Sequence, residues 1–134
     1  MASATTLYGK AAANFKSAKL LLDNANGDEE QLNLAGYHLQ QALELTLKYL
    51  LEQDGIEYPK THDIDQLIRI GNESRVDLQL SEYLIDHAEM FSLWEAKARY
   101  ILGYAIEARK LERALSEIDD YLAAVADAES SNSN

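Results

Sequence analysis

The 134-residue chain contains no cysteine, which excludes disulfides and thiolate-held metals. A single proline, Pro59, and six scattered glycines leave long stretches free of helix breakers. Positive charge is also scarce: 12 basic residues face 23 acidic ones, for a formal charge of -11. An average surface of that sign repels phosphate backbones, so indiscriminate nucleic-acid binding is disfavoured and RNA is admitted only as a specific substrate of a local basic pocket. The same charge argues against anionic membranes. No apolar run approaches the ~18 residues of a membrane span, and Met1-Ala2-Ser3-Ala4-Thr5-Thr6 lacks the basic start and apolar core of a signal peptide. No membrane association and a cytoplasmic location are therefore expected.

What is present is apolar content at 47% of residues, ordinary for a globular protein. The length suits one domain, expected over residues 1–128, with 129–134 a disordered polar tail. Leu7, Ala11, Phe15, Ala18, Leu21 and Leu22 recur at helical intervals, predicting a first helix from about Thr6 to Asp23. A second helix is predicted from Glu29 or Glu30 to Gln53, with Ala35, Leu39, Ala42, Leu43, Leu47 and Leu50 in one wide apolar sector. Only a narrow strip containing Tyr37, Gln41, Glu44 and Lys48 is clearly polar, so this helix should be contacted from several sides. Asp63 and Gln66 form a candidate capping box, with Thr61 a competing cap, for a short third helix ending near Ile70 at Gly71-Asn72. A fourth helix is expected from Asp77 or Leu78 to between Met90 and Glu95, and a last one from Ala105 to Ala128. Residues 94–104 can be read as helix or break. The fold class is all-α, an antiparallel up-and-down bundle of four to five helices.

Chemistry-bearing patterns are few. The histidines His38, His62 and His87 come from different elements, with no H-x-x-x-H, H-E-x-x-H or Glu-x-x-His spacing, so no metal site and no cofactor is expected. There is no phosphate-binding glycine loop and no G-x-S-x-G nucleophile turn. His38 reads as a partly buried hydrogen-bonded histidine, with contact to a nucleotide or partner as the alternative. His62 sits at a helix start, where backbone N–H groups favour anions, although capping and packing against the Pro59 turn is the favoured reading and ligand contact the alternative. His87 reads as structural or solvent-facing. Trp94, Lys97, Arg99, Tyr100 and Tyr104 combine cations with rings that could hold a phosphate while a base stacks. The bland alternative is that Trp94 and Tyr100 seal one end of the bundle while Arg99 pairs with an acidic neighbour.

The run Ala35-Gly36-Tyr37-His38-Leu39-Gln40-Gln41-Ala42, with Lys48 six residues further on, then Pro59-Lys60-Thr61-His62-Asp63 and Ala98-Arg99-Tyr100, resembles the HEPN domains, the higher eukaryotes and prokaryotes nucleotide-binding group. The resemblance implies a helical bundle, commonly a homodimer, often paired with a small nucleotidyltransferase partner in a toxin-antitoxin-like system. It carries over His38, Gln41, Lys48, His62, Asp63, Arg99 and Tyr100 as fold-defining or nucleotide-facing residues. Several branches of that family are metal-independent ribonucleases using an arginine followed after four to six residues by histidine. Here Arg69, Arg75, Arg99, Arg109 and Arg113 are the arginines, and none has a histidine four to seven positions later. The sequence thus reads as a nucleotide-associated binding or partner module rather than a self-sufficient enzyme. An unconventional ribonuclease using His38 or His62, or a purely structural dimer scaffold, is the alternative.

Overall fold

The computed structural model describes the backbone of residues 6–100 and 102–132, with side chains over 6–97 and 102–130. Among the described residues there are six helices and no strands: α1 (Leu7–Asn24), α2 (Glu29–Gln53), α3 (Ile64–Glu73), α4 (Glu82–Asp86), α5 (Ala88–Tyr100) and α6 (Ala108–Asn132). The all-α bundle expected from the sequence is the fold found.

Each early helix begins where a short polar side chain can replace the missing backbone acceptor. Thr6 accepts from Gly9 N–H, Asp28 from Glu30 and Gln31, and Asp63 from Gln66. Helix α2 ends in a left-handed Gly55, with Ile56 N–H bonded back to Leu51 O and Gly55 N–H to Glu52 O. The end of α3 repeats this pattern with Arg75 in the left-handed position, Val76 N–H reaching Gly71 O and Arg75 N–H reaching Asn72 O.

Helix α2 is the axis of the bundle and packs against α1, α3, α5 and α6. The turn at Ala25–Asp28 folds α1 back along α2 as an antiparallel hairpin. Ala11 and Ala18 on α1, and Ala35 and Ala42 on α2, are completely buried; such small side chains let two helix axes approach closely. The remainder of the core joins Leu39, Leu43, Leu47 and Leu51 to Ile64, Leu67, Leu84, Phe91, Leu111 and Ile118. Phe91 and Trp94 meet edge to face at 5.2 Å, and Trp94 is only 2% exposed. Gly36 makes room for this packing, because a Cβ there would collide with the tip of Ile106.

Three segments depart from the sequence reading. Helix α3 runs through Gly71 to Glu73, because Gly71 is needed for close approach rather than as a stop: an added Cβ would lie 2.5 Å from Leu78 Cδ1 and 2.8 Å from its Cγ. The expected fourth helix starts at Ser81, its cap, since Gln79 is left-handed, and it divides at His87 into α4 and α5. Helix α5 then continues through Trp94 to Tyr100, so the break falls between Tyr100 and Tyr104, at Leu102-Gly103. Helix α6 begins at Ala108 and passes Ala128 to reach Asn132, with neither glycine nor proline to end it.

The loop between α5 and α6 is tied to the start of α2. Asn33, 9% exposed, donates to Tyr104 O at 2.5 Å and accepts from Ile106 N–H at 3.1 Å. One amide thus satisfies two backbone groups of a loop that has no ladder of its own.

Candidate functional site

The polar strip of α2 carries an ionic residue that is not at the surface. Glu44 is 2% exposed, and each of its oxygens is occupied by donors. Oε2 accepts from Lys48 Nζ at 2.9 Å, one helical turn further on. Oε1 accepts from Gln40 Nε2 at 2.9 Å, lies 2.9 Å from His62 Nδ1, and has Gln41 Nε2 at 3.5 Å. A buried carboxylate is tolerated only with such compensation, since an unpaired one would neutralise or unfold its surroundings.

The same network fastens the segment that joins α2 to α3. Gln40 also donates to His62 O at 3.1 Å, and Gln41 Nε2 donates to Gln40 Oε1 at 2.7 Å. Tyr58 donates its hydroxyl to Glu52, while its ring lies 5.7 Å from Lys48 Nζ. Burial, the bond to Glu52 and the carboxylates of Glu52 and Glu44 all push the Tyr58 phenol well above its ordinary range. Pro59, by keeping Tyr58 out of helical geometry, favours the extended path that brings Tyr58 and His62 back over α2. Lys48 and His62, distant in sequence, therefore meet on opposite oxygens of one carboxylate. Their exposures differ: the Lys48 side chain is 14% exposed and that of His62 is 59%.

The start of α3 is already occupied by the chain itself. Asp63 takes Gln66 N–H, Thr61 Oγ1 takes Asp63 N–H at 3.0 Å, and Ser92 Oγ takes Ile64 N–H at 2.9 Å. Asp63 is thus the cap, while Thr61 takes the Asp63 N–H that Gln66 would take in a reciprocal capping box, and little of the helix terminus is left for an external anion. A shallow concavity of about 520 Å³ opens beside it between Thr61, His62 and Asp63 on one side and Glu89, Ser92 and Glu95 on the other. Its rim is acidic. Burial, Asp63 and Glu89 raise the Asp65 carboxyl above its usual range, with Arg69 partly opposing them. A phosphate would be repelled on this flank.

The remaining sequence candidates divide. His38 lies on the other flank of α2, its Nδ1 2.7 Å from Asn14 Oδ1 and its ring edge-on to Tyr37; burial lowers its pKa. It is a hydrogen-bonded member of the α1–α2 seam. Trp94 belongs to the core, so it offers no open face for stacking. His87 stacks on Tyr83 at 4.1 Å, with its Nδ1 on Tyr83 O, and Arg113 lies 4.7 Å from the Tyr83 ring. The Arg99 and Tyr100 side chains lie outside the described residues.

Gln40 and Glu44 complete the site although neither was among the candidates. On a wheel of 100° per residue Gln40 projects between Leu47 and Leu51, inside the apolar sector. That misplaced amide was the available signal. Glu44 was legible as the partner of Lys48 at i+4, but an exposed pair of that spacing is common.

The site is thus a helical bundle whose central helix carries the Lys48–Glu44 pair at one polar edge, with His62 brought onto it by the connecting segment. The sequence matches the HEPN domain family over residues 4–130, and the chain belongs to that family. Membership points to a nucleotide-related or ribonuclease-like role. No curated protein and no solved structure matches the chain. Among the described residues no helix is long and apolar enough to cross a membrane, and no group of three or more histidine or carboxylate side chains could hold a metal ion.

Proposed function

We propose that this chain is a nucleotide-associated binding module that presents the Lys48–His62 edge of α2 to a nucleotide, and that it works as a homodimer beside a small nucleotidyltransferase partner. The convergence of Lys48 and His62 on Glu44 carries the nucleotide reading: a cation and a hydrogen-bonding ring are held together before any ligand arrives, so little ordering is needed on binding. Family membership supports the homodimer and the partner. The test is titration of the purified protein with ATP, followed by calorimetry. Micromolar to millimolar binding is expected, weakened at least fivefold by Lys48→Ala or His62→Ala with the helical circular dichroism retained. Absence of saturable binding, with and without a co-expressed nucleotidyltransferase, removes the nucleotide from this reading.

A second reading, a metal-independent ribonuclease, is favoured by one observation. A carboxylate at 2.9 Å from Nδ1 of a largely exposed histidine is the arrangement that orients an imidazole for acid–base work. It predicts RNA cleavage that survives chelator and is lost in His62→Ala. Cleavage that persists in that variant assigns the activity elsewhere.

A further inference from the structure

The histidine at this edge is held in a particular chemical form by a residue that never reaches the surface. Glu44 Oε2 faces the ammonium of Lys48, and Oε1 faces the amide nitrogens of Gln40 and Gln41. These partners can only donate, so both carboxylate oxygens are acceptors. The His62 Nδ1 at 2.9 Å from Oε1 must then carry a hydrogen. A neutral imidazole carries one N–H, so Nε2 is left with its lone pair. Among the described residues nothing hydrogen-bonds to Nε2, and the side chain is 59% exposed.

We propose that Glu44 is the positioning residue of the site, fixing His62 as a hydrogen-bond acceptor at Nε2, and that the ligand group it selects is a donor, in a nucleotide a ribose hydroxyl. This rests on the nucleotide reading for its ligand, while the role of Glu44 stands on the hydrogen-bond inventory alone. The charges around the site agree with a neutral donor at His62. Glu44 neutralises Lys48 from within α2, Tyr58 covers Lys48 from the connecting segment, and Asp63, Asp65, Glu89 and Glu95 face the other flank from α3 and α5. A phosphate oxygen, which only accepts, meets a lone pair and an acidic rim at Nε2; a hydroxyl meets neither obstacle.

The role of Glu44 is tested by a long-range proton–nitrogen NMR spectrum of histidine-labelled protein at a pH where the ring is neutral. His62 is expected with its hydrogen on Nδ1, and Glu44→Ala is expected to return it to the Nε2–H form that free imidazole side chains favour. Finding Nε2–H in the wild-type protein overturns the proposal, and so does an unchanged spectrum in Glu44→Ala. Should that variant not fold, the wild-type spectrum decides by itself. The ligand arm compares ATP with its 2′-deoxy and 3′-deoxy analogues, reading both affinity and the His62 Nε2 shift. At least one analogue is expected to bind about tenfold more weakly and to leave the Nε2 shift unmoved. Equal binding of all three overturns the selection of a hydroxyl. No binding of any, with the Nδ1–H form in place, retires the nucleotide reading and leaves the assignment of Glu44 standing.

Discussion

Lys48 Nζ lies 2.9 Å from Glu44 Oε2, and both side chains are largely withdrawn from water, at 14% and 3% exposure. Lys19 and Asp23 share the same i,i+4 spacing at 3.4 Å, with both side chains 57% exposed. Solvent screening separates the two pairs more than geometry does. A double-mutant cycle of Lys48→Met with Glu44→Gln is expected to give a coupling of about 1–3 kcal/mol in urea denaturation. The corresponding cycle at Lys19 and Asp23 should stay below about 0.5 kcal/mol. Equal couplings would contradict the burial of the Glu44 network.

His38 gives a pH dependence of defined sign. Burial lowers its pKa in the folded state, so between its folded and unfolded values the unfolded chain binds more protons. Its contribution is therefore present above the unfolded histidine pKa and is lost as pH falls toward the folded value. Urea midpoints across the mildly acidic range should fall with pH, and His38→Gln, which can still meet Asn14, should flatten that decline. An unchanged slope assigns the dependence to other groups.

Gly71→Ala tests helix propensity against packing. In an open helix the change would stabilise by about 1 kcal/mol. Here the new methyl meets Leu78 at its branch point, 2.8 Å from Cγ, where rotation of the terminal methyls cannot relieve the contact. A net loss of about 1–3 kcal/mol is expected in chemical denaturation. A stabilised variant would show that the segment around Leu78 yields freely.

Asn33→Ala removes both ties to the loop between α5 and α6, leaving Tyr104 O and Ile106 N–H without their partner. A cost of about 1–3 kcal/mol is expected. Amide exchange at Ile106 should accelerate well beyond that at the centre of α2. If exchange rises equally in both places, the loss is global rather than local to the loop.

Much of this architecture was legible because periodicity reports burial. Leu39, Leu43 and Leu47 announced the axis, and Asp63 announced the start of α3 from its side-chain chemistry alone. What escaped the sequence depends on contacts between distant segments. Gly71 read as a stop because propensity says nothing of Leu78, which packs against it only after the chain turns back. Helix α4 was hidden by the left-handed Gln79, a conformation that glutamine does not advertise. At the site, His62 and Lys48 were legible as residue types, whereas their meeting depends on the path set after Gly55 and on the burial of Glu44. Gln40, a polar residue inside the apolar sector and one turn before Glu44, could have disclosed that burial.

The two tethers on α2 differ in what can undo them. The Asn33 amide carries no charge, so neither acid nor salt alters its bonds to Tyr104 and Ile106. Glu44 holds its segment partly through an ion pair with Lys48, an attraction that dissolved salt weakens. One end of the helix is thus indifferent to the medium while its middle is attuned to it. As ionic strength rises, the chain between Gly55 and Asp63 should come away first, with the far loop still fastened, giving the bundle a built-in order of release.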